Sequence, residues 1–424
     1  MLLCIFEDES VRHLQPLVRT RAACMLRSGW RTHLEEIRDN FPATGVVLHC
    51  RPALKDFVGE QTGLSVNRIP DDVDVLFVNG RLSDPSGVAA GDILGKARGN
   101  DPIAFITGET LTAAWIPSYH AAALATQSIV SAGSLPAGAR RLAVNAVLVD
   151  RLWQLLDRIQ PSIEADFKLL TRGYNVFERP GAIISRRAVL VDGERTFVAP
   201  GAEVRAGAVL DASSGPIIID RDAIIFENAV LRGPVSVGEQ STVKVGSVID
   251  TSVVGPWCKV AGEINRSIIT GFTNKAHPGY LGDSILGSWC NLGADTNTSN
   301  LRNDYAPVPL YSEALDEKED TGRTFVGLFM GDHSKCGIDT MFNTGTVIGV
   351  FCNLFGAGYQ PRYVPSFLWG SPVGGYTTYR LQKALRVARA VMARRDRSPT
   401  PAEEALLEGI FIETEDARKR GPRT

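Results

Sequence analysis

The sequence lacks the features that mark membrane, nucleic-acid-binding and disulfide-bonded proteins. Its 424 residues contain no uninterrupted apolar run near the ~18 residues that span a bilayer. A net charge of −2 gives no general attraction for nucleic acid. The seven cysteines are scattered without a CxxC pair, as expected of reduced, buried thiols. Because the start, MLLCIFEDES, also has no basic segment ahead of an apolar one, we expect a cytoplasmic protein with no membrane and no nucleic-acid partner.

Two common phosphate-binding loops, GxGxxG and GxxxxGK followed by Ser or Thr, are also absent. Up to about residue 178, strand-like segments nevertheless alternate with helix-like ones. This alternation predicts an α/β domain with a mostly parallel sheet. The strand candidates are Leu2–Phe6, Val46–His49, Val73–Val78, Ile103–Ile106 and Leu142–Val149.

Polar residues follow two of these strands. Asp8, Arg21 and Arg27 come after the first strand, and Asn79 and Arg81 come after the third. Ligands of parallel sheets bind at the carboxyl ends of the strands, and arginines placed there can hold phosphates through paired hydrogen bonds. The alternative is that the arginines are solvated surface charges.

Apolar residues recur at every sixth position from about Val198 to Gly358. A sustained step of six predicts the hexapeptide repeats of a parallel β-helix, whose coils bury their apolar residues against one another. The chain thus divides into an α/β domain (1–178), a linker (179–195), a β-helix (196–360) and a helical extension (361–424). The clearest runs are Ile219, Ile225, Leu231, Val237, Val243 and Ile249, and Met330, Cys336, Phe342, Ile348 and Leu354.

Two segments depart from the step of six. Residues 302–323 are acidic and interrupt the repeats, which predicts a loop at one corner of the coil. In the extension, Thr400 and Glu403 form a capping box that predicts the start of a helix. The helix before it carries a basic stripe, which is either a solvated face or a contact for the phosphates of an acyl carrier. The stripe consists of Arg380, Lys383, Arg386 and Arg389.

The most informative local sequence is NKAHPGYLGD, residues 274–283. The step of six fails around it, so we expect His277 and Tyr280 on an irregular, exposed coil. Asn291 and Ala294 follow one coil later and are expected to share the same groove. A histidine there can take the proton of an attacking amine, and a backbone N–H near Ala294 can stabilise an oxyanion, which together suit acyl transfer.

Two stretches carry a family resemblance. The pattern FEDE…LxPLxxTRAAxxLRxG, with NGR after the third strand, resembles the GlmU-like bacterial sugar nucleotidyltransferases, in which a short nucleotidyltransferase-like domain precedes a hexapeptide-repeat acyltransferase domain. The stretch KAHPGYLGDSILGSWCNLGADTNTSN resembles the acetyltransferase segment of N-acetylglucosamine-1-phosphate uridyltransferases. The resemblance implies a Rossmann-like nucleotidyltransferase domain, a left-handed β-helix and a homotrimer.

The resemblance also implies substrates and cofactors. The β-helix would acetylate glucosamine 1-phosphate, or a related amino sugar phosphate, from acetyl-CoA. The N-terminal domain would add a nucleotide from UTP or another NTP with Mg²⁺. Two alternatives stay open: a nucleotidyltransferase whose β-helix only regulates and assembles the protein, and a scaffold with both sites inactive.

The resemblance assigns roles to single residues. His277 is the general base, with Glu263 near the acceptor amine and Asn300 near the acetyl group. The resemblance also implies Tyr280, Asn291 and Arg266 for the amino sugar and its phosphate, and Ala294 for acetyl-CoA. Apart from these, we expect Lys275 at the sugar, Lys335 at acetyl-CoA, and the strand-end residues Asp8, Arg21, Arg27, Asn79 and Arg81 at a nucleotide or sugar phosphate.

The chain departs from the family pattern at several positions. Arg81 stands where nucleotidyltransferases carry a magnesium-binding aspartate, and Asp295 stands where the acetyltransferase segment has glycine. His333 matches the GlmU-like group without a role that chemistry suggests. With only His277 and His333 in the repeats, a structural zinc site is not expected, and the sequence identifies no metal ligands.

Overall fold

The first domain folds around a seven-stranded sheet. The computed structural model describes residues 1–70, 72–125, 127 and 129–424. In chain order the strands are β1 (Leu2–Phe6), β2 (Gly45–His49), β3 (Ser65–Val66), β4 (Val75–Asn79), β5 (Ile103–Thr107), β6 (Thr110–Ile116) and β7 (Arg140–Ala143). The helices are α1 (His33–Asn40), α2 (Lys55–Thr62), α3 (Val88–Leu94), α4 (Ser118–Ala125), α5 (Gln154–Asp157) and α6 (Ile159–Leu170). Short 3-10 turns lie at Glu9–Leu14, Leu17–Thr20, Ala23–Met25, Pro52–Leu54 and Ala132–Ser134.

The strand order is β3-β2-β1-β4-β6-β5-β7. β1 runs parallel to β2 and β4, so Phe6 lies beside His49 and Asn79 at the carboxyl ends of the three strands. β6 runs antiparallel to both of its neighbours because Gly108, with a φ of 58°, allows a tight turn from β5. The sequence reading missed β6, and its last strand candidate, Leu142–Val149, overlaps β7 only over its first two residues.

The β-helix has three walls, which the chain visits in turn. The first wall contains Ile183–Ile184, Glu203–Val204, Ile224–Ile225, Thr242–Val243, Lys259–Val260, Asn274–Lys275, Lys335–Cys336, Asn353–Leu354 and Leu368–Ser371. The second wall contains Val189–Val191, Val209–Asp211, the first halves of Val230–Val237 and Val248–Val254, Glu263–Asn265, Tyr280–Gly282, Asn297–Thr298 and Met341–Phe342. The third wall contains Thr196–Val198, Ile217–Ile219, the second halves of Val230–Val237 and Val248–Val254, Ile268–Gly271, Ile285–Ser288, Leu328–Met330, Thr346–Ile348 and Tyr363–Val364.

The coils become shorter along the first half of the β-helix, where Val209 pairs with Val230 after twenty-one residues. Val230 pairs with Val248, one full coil of eighteen residues later, whereas Val248 pairs with Glu263 after only fifteen. This shortening explains why the six-residue step fails around residue 277. The first two strands, Ile183–Ile184 and Val189–Val191, lie inside the segment expected to be the linker.

Aromatic rings stack along the corner between the third and first walls, which we call the aromatic corner. Each of its residues has a φ between 53° and 61°, so the same left-handed turn recurs in successive coils. The rings stack in sequence, with Phe272 and Trp289 4.3 Å apart and His333 and Phe351 4.5 Å apart. The members are Trp257, Phe272, Trp289, His333, Phe351 and Phe367.

The interruption at 302–323 is an ordered hairpin rather than a bare loop. Its strands, Pro309–Ser312 and Glu317–Asp320, pair in antiparallel register. Val308, Leu310 and Tyr311 are buried in a cluster that contains residues of the N-terminal domain and of the third wall. The insertion therefore contributes to the contact between the two halves of the chain.

The N-terminal domain folds back onto the β-helix. Outward residues of the third wall pack against residues of segments 11–26 and 149–163 and are buried. The N-terminal domain therefore covers the outer face of the third wall. A six-residue repeat cannot predict this contact, because it identifies only the residues that point into the coil. The covered residues are Phe197, Ile218, Val253, Ile268, Ile285, Phe329, Val347 and Tyr363.

The extension returns to the junction of the other two parts. A strand at Gly375–Thr378 pairs antiparallel with Leu368–Ser371 and closes the coil, and helices α7 (Leu381–Ala393), α8 (Pro401–Glu413) and α9 (Glu415–Arg420) follow. α7 and α8 pack against the α/β core and the aromatic corner. The Thr400 hydroxyl accepts the N–H of Glu403, which confirms the predicted helix start. The predicted fold class is confirmed, and none of the helices described is long and apolar enough to cross a bilayer.

Candidate functional site

His277 lies on the corner between the first and second walls, and its side chain is exposed. Two residues earlier, Lys275 takes an inward position that Val243 and Val260 fill in preceding coils. Its ammonium donates to the carbonyls of Ala261 and His277, both at 2.9 Å. Burial lowers the pKa of Lys275 to about 8. The lysine thus holds the His277 corner from inside the coil.

A polar network runs along the second wall, from Tyr280 near this corner to Arg266 and Asp283 at the other end of the strands. The Asn300 amide donates to the Tyr280 hydroxyl at 3.0 Å and to Asp283 Oδ2 at 2.7 Å. Arg266 Nη1 donates to the other Asp283 oxygen at 3.1 Å. Burial raises the pKa of Asp283, which Asn300 and Arg266 counteract. Glu263 is exposed and lies directly beside Tyr280 in the ladder.

The network continues into the N-terminal domain. Arg266 Nη2 donates to Asp157 Oδ1 at 2.8 Å, and Arg323 Nη1 donates to the same oxygen at 2.8 Å. Asp157 ends α5, and Arg323 ends the inserted hairpin. Sequence reasoning missed Asp157, Arg323 and Asp283, because only the fold brings their separate segments together.

Asn291 and Lys335 lie on the first wall, on the other side of the His277 corner. Both belong to one ladder, in which Asn291 bridges Asn274 and Lys335. Lys335 donates to the carbonyl of His333 at 2.9 Å, and burial lowers its pKa to about 8. Ala294 lies one coil above His277, since the next residue, Asp295, donates its N–H to the Pro278 carbonyl at 3.1 Å.

The basic stripe is partly engaged within the chain. Arg389 pairs with Glu404 at 2.6 Å, and the Lys383 ammonium lies 3.9 Å from the centre of the Trp369 ring. Arg380, just before α7, and Arg386, on α7, are both exposed, and neither forms an ion pair in the described chain. Two of the four cations are therefore held by the protein itself.

At the carboxyl ends of β1 and β4, Asp8, Asn79 and Arg81 form one buried cluster. Arg81 donates to both Asp8 oxygens, at 2.9 and 2.6 Å, and also pairs with Asp150. Asn79 donates to Asp8 Oδ2 at 2.8 Å. The Arg81 side chain has no exposed surface. The predicted proximity of these residues is present, but their hydrogen bonds are directed at one another.

The other two predicted arginines lie elsewhere. Arg21 crosses to the β-helix, where its Nη2 lies 2.5 Å from Asp332, and Arg27 donates to the Trp30 carbonyl at 2.7 Å. Short 3-10 turns after β1 carry both residues away from Asp8. The five residues predicted for a nucleotide or sugar phosphate therefore lie in three places.

A magnesium ion does not fit the Asp8 cluster. Both oxygens of Asp8 already accept hydrogen bonds from Arg81, and the Ser10 N–H also donates to Oδ1 at 3.1 Å. A guanidinium thus occupies the space beside the carboxylate that a cation would need. Across the described ranges, no group of three or more His, Cys, Asp or Glu residues is arranged to hold a metal ion.

Comparison with known proteins places the N-terminal domain. Residues 3–175 match the sugar nucleotidyl transferase family. The predicted resemblance is confirmed for this part of the chain, and so, at the level of class, is the prediction of a sugar-related transferase. A comparison with curated proteins found no match.

Several solved structures match part of this chain at low sequence identity. UDP-N-acetylglucosamine acyltransferase from Campylobacter jejuni is 12% identical over 58% of this chain and 98% of that chain, with a TM-score of 0.22. The Arabidopsis enzyme of the same name is 14% identical over 58% of this chain and 99% of its own, with a TM-score of 0.19. A hexapeptide transferase family protein from Anaplasma phagocytophilum is 14% identical over 54% and 92%, with a TM-score of 0.14.

The sugar nucleotidyl transferase-like domain has its own cavity, of about 860 Å³, at the carboxyl ends of β1 and β2. α8 and the inserted hairpin line it together with residues after β1. Arg19, on its wall, pairs with Glu313 of the hairpin at 2.6 Å and with Glu413 of α8 at 3.0 Å. Parts of the chain more than 290 residues away therefore shape this cavity.

A second cavity, of about 310 Å³, lies where the sugar nucleotidyl transferase-like domain, the aromatic corner and α8 meet. His333 and Glu403 line it, with the His333 Nε2 and Glu403 Oε1 atoms 3.8 Å apart. Burial lowers the pKa of His333 to about 3, and burial together with nearby Asp332 raises that of Glu403 to about 7. His333 thus belongs to the stacked corner and lies away from His277.

Proposed function

We propose that this chain transfers an acetyl group from acetyl-CoA to the amine of glucosamine 1-phosphate or a related amino sugar phosphate. The observation that carries the proposal is the exposed His277 imidazole, on a corner fixed from within by Lys275 and beside the Tyr280–Asn300–Asp283 network. Such a corner offers a general base next to groups that can bind sugar hydroxyls. The resemblance of residues 275–300 to an acetyltransferase segment supports the choice of substrate class.

The chemistry assigns a role to each group. The neutral His277 imidazole takes the proton from the amine as its nitrogen attacks the thioester carbonyl. A C–N bond forms, the C–S bond breaks, and the proton passes from His277 to the departing thiolate. Glu263, beside Tyr280, faces the acceptor and orients its amine.

The tetrahedral intermediate needs a hydrogen-bond donor for its oxyanion. The N–H of Ala294 makes no hydrogen bond to another described residue, although the N–H groups on either side of it do. It lies one coil above His277 and is available for this role. Asn300 can contact the acetyl group from the other side, and Lys335 and the first wall can receive the acyl carrier.

We further propose that the protein works as a homotrimer, with each groove completed by a neighbouring subunit. The third wall and the aromatic corner are covered by the chain's own domains, which leaves the His277 corner open. Exposed apolar residues continue this corner and the second wall toward the end of the coil, and a partner subunit would cover them. They are Ile338, Met341, Phe355 and Tyr359.

Nucleotidyl transfer is the second candidate. The match of residues 3–175 to the sugar nucleotidyl transferase family favours it, as does the cavity at the carboxyl ends of β1 and β2. Because Mg²⁺ does not fit the Asp8 cluster, we assign no catalytic step to that cluster. If the domain is active, UTP or another NTP with its own Mg²⁺ would enter the cavity.

The test is release of free thiol from acetyl-CoA with glucosamine 1-phosphate as acceptor, for the wild type and His277→Ala. We expect the wild type to release thiol and His277→Ala to do so more slowly, by a factor of about 10²–10⁴. His120→Ala, on the N-terminal domain, is the matched control and should keep wild-type release. Release that is equal in both histidine variants would remove His277 as the base.

A parallel assay separates the candidates. Release of pyrophosphate from UTP and Mg²⁺ with N-acetylglucosamine 1-phosphate reports nucleotidyl transfer. Pyrophosphate release without thiol release from any amino sugar would favour the nucleotidyltransferase alternative. The absence of both activities in a folded oligomer would favour a scaffold.

A further inference from the structure

Two arginines from distant segments converge on one carboxylate beside the proposed acceptor site. Arg266, on a second-wall strand end, and Arg323, at the end of the inserted hairpin, both donate to Asp157 Oδ1 at 2.8 Å. Asp157 belongs to α5 of the N-terminal domain. The arrangement joins the two halves of the chain at the edge of the second wall.

The two guanidiniums keep donors for a further ligand. A guanidinium carries five N–H groups. Within the described chain, Arg266 uses one nitrogen for Asp283 and one for Asp157, and Arg323 uses two nitrogens for Asp157. Their side chains are 32% and 25% exposed, so the unused N–H groups can reach solvent.

The pair lies within reach of the groups assigned to the sugar. Asp283 bonds Arg266 on one oxygen and Asn300 on the other, and Asn300 in turn bonds the Tyr280 hydroxyl. An acceptor held by Tyr280 and Asn300 would thus place a negatively charged substituent toward Arg266 and Arg323. Paired arginines are well suited to a phosphate, because their planar forks match its oxygens.

We propose that Arg266 and Arg323 form a clamp for the phosphate of the acceptor and that Asp157 of the N-terminal domain is the positioning residue that aligns them. This inference rests on the proposed function. Asp157 itself is held because its neighbours Leu155 and Leu156 are buried against the β-helix side of the domain. Docking of the N-terminal domain therefore completes the acceptor site of the other half.

The test compares two acceptors that differ only in the phosphate. The ratio of kcat/KM for glucosamine 1-phosphate to that for glucosamine is measured in the wild type, Arg323→Ala and Asp157→Ala. We expect the ratio to fall by about tenfold to a hundredfold in Arg323→Ala, the range for loss of a hydrogen bond to a charged group, with the change in KM rather than kcat. The ratio should fall by less in Asp157→Ala, and Asp157→Glu should recover part of that loss.

The matched control is Glu404→Gln, which removes the carboxylate of an ion pair with Arg389 that joins α7 and α8. It should leave the ratio at its wild-type value. An equal loss for both acceptors in Arg323→Ala would overturn the clamp, because the residue would then act through the fold. An unchanged ratio in Asp157→Ala would remove its positioning role.

A binding measurement separates this inference from the proposed function. Calorimetric titration with glucosamine 1-phosphate and with glucosamine needs no acetyl-CoA and no turnover. If the wild type transfers no acetyl group but binds the phosphorylated sugar through Arg323, the proposed reaction fails and the clamp stands. If the wild type binds both sugars equally or not at all, the clamp is refuted.

Discussion

The buried ion pair between Arg21 and Asp332 is expected to hold the two halves of the chain together. Arg21 and Asp332 side chains are 7% and 8% exposed, and Asp332 also accepts the Thr20 hydroxyl and the Ser288 N–H, both at 2.8 Å. Asp332→Ala would leave the Arg21 guanidinium buried without its partner. Breaking a buried pair in this way costs about 3–5 kcal/mol.

The free energy of unfolding is measured by urea titration, followed by tryptophan fluorescence, for which Trp289 on the neighbouring corner is a natural probe. Total stability of a folded protein is roughly 5–15 kcal/mol, so the expected loss is large. The double variant Arg21→Met/Asp332→Leu should recover most of it, because apolar side chains of similar volume often replace a buried pair at little cost.

The control is Asp304→Ala, which removes an exposed partner of Arg302 and should leave the free energy of unfolding close to the wild-type value. A loss below 1 kcal/mol in Asp332→Ala would refute the reasoning, since the guanidinium would then be solvated. A double variant as unstable as the single one would show that the hydrogen bonds of Asp332, and not the charge of Arg21, dominate.

Two further predictions concern buried ionisable groups. Because its pKa is raised to about 7 in the fold, Glu403 is favoured in its protonated form, and the folded protein loses stability as pH rises from about 4.5 to about 7. The variant Glu403→Gln should therefore be more stable than the wild type at pH 8, by about 3 kcal/mol, but not at pH 4.5. Urea titration at the two pH values measures the difference. A gain equal at both pH values would contradict this assignment. Lys275→Met should leave the carbonyls of Ala261 and His277 without a donor, and we expect thiol release to fall about tenfold while the circular dichroism spectrum is unchanged. Wild-type release in this variant would show that the His277 corner needs no internal support.

The sequence predicts the β-helix well because its information is local. Each inward residue meets the same residue type one coil away, so a step of six is sufficient to place the walls. The step fails where Lys275 takes an inward position and the coil shortens to fifteen residues. The failure is itself a signal, because it marks the coil that carries His277.

The remaining features depend on contacts between distant segments. Arg21 and Asp332 are 311 residues apart, and nothing in either local sequence indicates the other. Residues following β1 were expected at one phosphate site because they follow a strand end. The 3-10 turns after that strand place Arg21 against the β-helix instead, and no periodic pattern in the sequence predicts such turns.

The two ends of the coil present different strand edges to other molecules. At one end, the antiparallel strand Gly375–Thr378 reverses direction, so no further parallel coil can continue from it. At the other, Ile183–Ile184 and Val189–Val191 pair on one side only in the described chain, and Ile183 and Val189 are exposed. An open strand edge is a template for joining another chain. Gly375–Thr378 likewise pairs on one side only in the described chain, so the two ends of the coil offer templates of opposite strand direction.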